Sequence, residues 1–237
     1  MQVQSSHHYA AETDRPALRK VGLLAGWRWI AQGFALLRAA PLPLLGMTLC
    51  WLAIVIALNF IPLLGPLAAT VFAPVLFGGF MLACHKLVQR QTITSAELFS
   101  ARSGYGGALT LLGLVYLAAL LLLFSLNAGT TVMLGLPAGA PAMPALLLLL
   151  SIPLAMAFWY APALVVLEHH PPGEAVRLSF QGSWHNLPTF LLYFLLCLGL
   201  TALAAAPYFV GLLLWMPIAL ASAYAGYREL FADPAGQ

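Results

Sequence analysis

Hydrophobic residues fall along this chain in six long runs, at about 43–60, 65–84, 107–126, 144–167, 187–206 and 208–227. Each holds the roughly 20 residues that a helix needs to cross about 30 Å of hydrocarbon. The runs show no alternation of period two, so they predict helices and not the strands of a barrel. In lipid only these two structures satisfy every backbone polar group. The predicted fold class is all-α: a polytopic transmembrane bundle of six helices in three hairpins.

An amphipathic stretch precedes each pair of runs. Between Gly22 and Ala40, the residues Leu23, Trp27, Ile30, Phe34 and Leu37 recur at helical spacing on one face, while Arg28 and Gln32 lie on another. Tryptophans at headgroup depth and arginines towards acidic lipid describe an interfacial helix, anchored by Trp27, Trp29, Arg28 and Arg38. Before the third run, Thr94 to Glu97 fits a capping box, with Ile93 and Leu98 placed to staple it. Before the fifth, Glu174, Arg177, Gln181 and His185 share a polar face, and Val176, Phe180 and Trp184 an apolar one, with Trp184 as the anchor.

The chain thus reads as a single transmembrane domain, 21–230, of three units at about 22–90, 94–169 and 173–230. A disordered cytoplasmic tail, 1–20, and a short C-terminal tail, 231–237, flank it. In each unit the returning run carries an aromatic, one spacer and a proline: Phe72-Ala73-Pro74, Tyr160-Ala161-Pro162 and Trp215-Met216-Pro217. A proline inside a helix frees the carbonyl four residues earlier, here at Thr70, Phe158 and Leu213. Pro74, Pro162 and Pro217 are therefore candidate kinks, and candidate elements of a solute path like the broken helices of transporters. An ungapped offset of 143 pairs Pro74 with Pro217, Gly79 with Ser222, Ala83 with Gly226 and Leu87 with Leu230. It preserves a small-xxx-small step that lets helix backbones approach closely in lipid.

Composition agrees. Of the 237 residues 62% are hydrophobic and 7% charged, and mean hydropathy is +0.92, against about a quarter charged in a soluble domain. All ten Lys and Arg residues, with all seven acidic residues and all six histidines, lie on one side of the predicted spans. The uncharged segment from Asn127 to Met143 is long enough for that asymmetry to be meaningful. The positive-inside rule makes the charged side cytoplasmic and puts both termini there. The net charge of +3 is accordingly a topology signal, with no nucleic-acid partner implied. Nothing before the first run reads as a cleaved leader, so the N-terminus is expected to be retained.

Candidate chemistry is sparse. Cys50, Cys84 and Cys197 stand singly in apolar surroundings and read as small buried hydrophobes. Glu168, His169 and His170, with His85 and His185 on the same side, are the nearest thing to a metal or proton-responsive site, yet no two of these five have i, i+4 spacing within one segment. His7 and His8 are given no role. No H-E-x-x-H, G-x-S-x-G or phosphate-cradling loop occurs, and no acidic pair lies inside the membrane. No catalytic residue, cofactor or metal is predicted, and proton- or sodium-coupled transport loses its usual carboxylate. Asn59, Ser125, Asn127, Ser151 and Thr201 offer neutral hydrogen bonding near span ends or to their own helix.

The segments Gly26–Leu45, Ile61–Cys84 and Phe158–Tyr193 together resemble a family of small bacterial six-span inner-membrane proteins to which no activity is assigned. The order of cytoplasmic helix and hairpin resembles, more distantly, the membrane domain of glycerophosphodiester phosphodiesterases. The resemblance implies a six-span inner-membrane fold without catalytic residues. Two functions follow as expectations. The first is a non-enzymatic scaffold or partner subunit whose basic collar engages anionic lipid and neighbouring proteins, either a different chain or further copies of this one. The second is a carrier or channel for a small apolar or lipid-like molecule.

Overall fold

The structure, a computed structural model, describes residues 19–133, 135, 142–206, 208 and 210–231. Its elements in chain order are α1 Ala25–Ala39, α2 Pro41–Asn59, α3 Leu64–Val88, a 3-10 helix Ser95–Phe99, α4 Arg102–Met133, α5 Ala142–Phe158, α6 Ala161–Leu167, α7 Pro172–His185, α8 Leu187–Ala205 and α9 Val210–Phe231. No strand occurs among the described residues. Six helical segments are long and apolar enough to cross a membrane: α2, α3, α4, α5 running into α6, α8 and α9. The all-helical six-span fold read from the sequence is the fold observed.

Local chemistry sets the boundaries. Prolines lie in the first turn of α2, α6, α7 and α8, where the missing N–H has no intrahelical partner to lose. At the far end of α3, Arg90 takes a left-handed conformation, φ 60°. Its N–H donates to the Leu87 carbonyl at 3.0 Å and the Gln91 N–H donates to Lys86 at 2.9 Å, closing a Schellman ending without glycine. His169, after α6, has the same φ of 60°.

Several sequence expectations change here. α4 continues to Met133, so the loop expected from Asn127 loses its first seven residues to helix. Whether the remainder dips back concerns 134 and 136–141, outside the described residues. Ser103 and Gly104 depart from helical geometry at the start of α4. The predicted tails fall outside the described residues too, apart from Arg19, Lys20 and Phe231, and Phe231 is buried as the last residue of α9. The element before the third span is a short 3-10 helix, and Thr94 makes no side-chain cap. Glu97 instead accepts from Lys86 Nζ at 2.7 Å, because a charge-assisted bond is stronger than one to a neutral amide.

The packing unit is not the sequence hairpin. α9 packs far more extensively on α1 than on its hairpin partner α8, α3 more on α4 than on α2, and α5 more on α7 than on α4. Each returning span therefore leans on the unit that follows it. The third leans on the first, and the three units close into a ring. Two glycines make the approach possible. A Cβ on Gly33 of α1 would lie 2.5 Å from the Ile218 carbonyl oxygen and 2.7 Å from the Ser222 N of α9, and one on Gly79 of α3 would collide with the Leu98 carbonyl of the 3-10 helix. Gly79 and Ser222 are the pair matched by the internal offset, so in the first and third units the repeated small residue is where the returning span meets the next leading helix.

The leading helices have two apolar flanks. Ala25, Gly26, Trp29, Ile30, Gly33 and Leu37 of α1 face the bundle, while Leu23, Trp27 and Phe34 remain exposed. In α7 the inward face is Ala175, Leu178, Ser179, Gly182 and Ser183, and Trp184 is exposed. Ile30 and Leu37 thus part company with Trp27. The inward faces are built largely from small residues, which hydropathy underweights.

Candidate functional site

Two features stand out from the packed apolar frame: a break in the fourth span and a basic cleft at the charged end of the bundle. The break separates α5 from α6 at Trp159 and Tyr160. Pro162 lies in the first turn of α6, so it begins a helix, whereas Pro74 and Pro217 are buried inside continuous ones. The three prolines are not equivalent. Ser179 of α7 fills the break: its buried hydroxyl accepts from the Tyr160 N–H at 3.1 Å and donates to the Met156 carbonyl at 2.8 Å. Ser183 Oγ donates to the same carbonyl at 3.4 Å. At Pro74, Thr70 Oγ1 donates to Pro66 at 2.9 Å.

Aromatic rings surround the break. Trp159 packs on Phe194 with centroids 4.6 Å apart, on Phe77 at 6.3 Å and on Tyr193 at 6.3 Å. Tyr160 meets Phe231 at 5.6 Å and Phe190 at 6.5 Å. The Trp159 indole N–H and the Tyr160 hydroxyl are buried without a hydrogen-bond partner among the described residues. These are donors that a burial argument expects to see paired.

The cleft, of about 670 Å³, is lined by residues of α1, the end of α3 and the last turns of α9, with Arg19, Arg28, Gln32, Tyr224, Arg228 and Glu229 as its polar groups. Arg28 Nη2 and Glu229 Oε1 form an ion pair at 2.5 Å, and the other oxygen of Glu229 accepts from Trp29 Nε1 at 2.7 Å. Three guanidinium groups thus face one carboxylate. No ion pair to Arg19 or Arg228 occurs among the described residues. On the adjoining flank, His85 Nδ1 lies 3.1 Å from the Tyr224 hydroxyl and the Tyr227 hydroxyl donates to Glu168 at 2.5 Å.

The other residues singled out in the sequence are placed as follows. Trp27 is 57% and Trp184 61% exposed, and Trp184 stacks on Phe180 with centroids 6.0 Å apart. Arg38 lies over the Phe34 ring at 5.9 Å. Trp29 differs: it is fully buried, against Tyr193 at 5.3 Å, because its N–H finds the Glu229 carboxylate. The histidines scatter, His169 to Tyr105 at 2.8 Å and His170 to Glu174 at 3.5 Å. No group of three metal-ligating side chains converges among the described residues. Asn59, Ser125, Ser151 and Thr201 each donate to a carbonyl of their own helix. Ser179, Ser183 and Glu229 were missed by sequence reasoning. The available signal for the serines was their i, i+4 spacing on the small-residue face of α7.

Six apolar spans around one packed core define the class: an integral, multi-pass, all-helical membrane protein. The chain is similar to a "Probable inner membrane protein" of Burkholderia thailandensis, 28% identical over 254 aligned positions that cover 90% of this chain and 93% of the relative. No protein-family profile and no solved structure matches it.

Proposed function

We propose that this protein is a non-enzymatic component of a bacterial inner membrane, a scaffold or partner subunit whose collar of leading helices engages anionic lipid and neighbouring protein. The observation that carries this reading is the closed ring. α1 is locked to α9 by Gly33, Trp29 and Glu229, and the residues beneath it, Phe80, Met81, Met156, Tyr160, Tyr193 and Tyr224, are fully buried. A rigid centre with an exposed apolar and basic rim suits holding other molecules at its edge. The name of the relative supports the inner-membrane assignment, and the charge asymmetry supports cytoplasmic termini. The distant likeness to the membrane domain of glycerophosphodiester phosphodiesterases belongs to this proposal as well; it concerns the order of elements and brings no catalytic residue. Affinity purification from gently solubilised membranes tests the reading. A stoichiometric partner, or a defined homo-oligomer, is expected; a lone monodisperse protein would sink it.

A carrier for a small apolar or lipid-like molecule is the second reading, favoured by the broken fourth span and the unpartnered donors of Trp159 and Tyr160. Broken helices of transporters line a cavity, whereas this break is filled by Ser179. The packing of α3 directly on α9 also speaks for the scaffold.

A further inference from the structure

We infer that the cleft between α1, α3 and α9 is a headgroup site for an anionic phospholipid, with Arg19 and Arg228 as the phosphate-binding groups. This deepens the collar reading and rests on it for the presence of lipid beside α1. α1 and the turn before it present three flanks. One is buried against α8 and α9; a second, Leu23, Trp27 and Phe34, is exposed and apolar; the third carries Arg28, Gln32, Ala35 and Leu36 into the cleft. The arginine-bearing flank adjoins the exposed apolar one around the helix. A ligand that uses both must carry a phosphate at one end and acyl chains at the other. A nucleotide or free phosphate would use the cleft alone.

Charge selects the sign of the ligand. The cleft holds three guanidinium groups against the single Glu229 carboxylate, and that carboxylate is already engaged by Arg28 and Trp29. Two positive charges are left for an anion. Guanidinium groups bind phosphate oxygens through paired, charge-assisted hydrogen bonds. With Gln32 on its wall, the cleft also offers a neutral partner for a glycerol-type headgroup.

The test uses the full chain, purified in a neutral detergent and titrated with phosphatidylglycerol while retained lipid is followed by native mass spectrometry. Phosphatidylcholine and glycerol phosphate form the parallel arms. Phosphatidylglycerol is expected to bind at least tenfold more tightly than phosphatidylcholine. The double variant Arg19→Gln, Arg228→Gln is expected to lose about tenfold per arginine, the counterpart of one charge-assisted hydrogen bond. Arg19→Lys with Arg228→Lys, which keeps the charge, should recover part of that loss. Arg102→Gln, a basic residue outside both the cleft and the leading helices, should leave the affinity unchanged. Unchanged binding by the glutamine double variant, or an equal loss in Arg102→Gln, overturns the site. Glycerol phosphate binding as tightly as the lipid, with Trp27→Ser without effect, overturns the lipid in favour of a soluble phosphate. Size-exclusion profiles establish that each variant is folded. Failure of the unaltered protein to bind phosphatidylglycerol, with the protein partner still recovered, would refute this site and leave the scaffold reading standing.

Discussion

The indole N–H of Trp29 donates to Glu229 at 2.7 Å across 200 residues of sequence, joining the first leading helix to the last span. The same carboxylate holds Arg28, and the Arg19 N–H donates to the Leu230 carbonyl at 3.3 Å. These contacts close the ring of units, so the two ends of the chain are the place where its tertiary structure is most directly tested.

Removing the pieces of this closure should cost unequal amounts. Trp29→Ala empties a fully buried site and is expected to destabilise by about 3 kcal/mol or more. Glu229→Gln, which keeps an acceptor for the indole, should cost about 1–2 kcal/mol. Arg28→Gln, more than half exposed, should cost less than about 1 kcal/mol. Thermal unfolding of the detergent-purified protein gives the order, and Arg28→Gln as the most damaging of the three would contradict the closure.

The break in the fourth span depends on one hydroxyl. Ser179→Ala leaves the Tyr160 N–H and one bond to the Met156 carbonyl unmade in a buried setting, a loss of about 1–3 kcal/mol. Ser183→Ala removes only the longer bond at 3.4 Å and should lower the midpoint less. Equal midpoints for the two variants would mean that the break is held by other contacts.

Close approach at the ring contact predicts a contrast between glycines. Gly33→Ala puts a Cβ against the backbone of α9 and should lower the unfolding temperature and weaken the docking of α1, read as faster proteolysis near the N-terminus. Gly129→Ala, within α4 and with open space around its Cβ position, should raise stability by up to about 1 kcal/mol on helix propensity. A neutral Gly33→Ala would argue against the packing described.

Replacing the prolines singly should separate them. Pro162→Ala is expected to be nearly silent, since alanine also starts a helix and Ser179 still satisfies the break. Pro74→Ala and Pro217→Ala lie inside buried helices and should straighten and shift their neighbours, changing the midpoint measurably. Three identical responses would restore the equivalence suggested by the repeated aromatic-spacer-proline.

Orientation has its own measurement. Alkaline phosphatase fused after Met133 is expected to be active, and fusions after Arg102 or at the C-terminus inactive, if the basic end is cytoplasmic. The reverse pattern would invert the proposed sidedness and move the phosphate-binding cleft to the other leaflet.

The sequence by itself determined the spans, the class and the repeated order of leading helix and hairpin. Hydropathy over some twenty residues is a one-dimensional property, fixed by the solvation cost of peptide groups in lipid. It also marked the positions matched by the internal offset, Gly79 and Ser222, although not what they touch. Only the tertiary structure decided that each returning span packs on the next unit, that Trp29 turns inward to Glu229 while Trp27 stays outside, and that Ser179 seals the break before Pro162. Between helices that are apolar on every flank, hydrophobicity does not choose a face. Close backbone approach at small residues and the pairing of a few buried polar groups choose it, and those partners lie up to 200 residues apart.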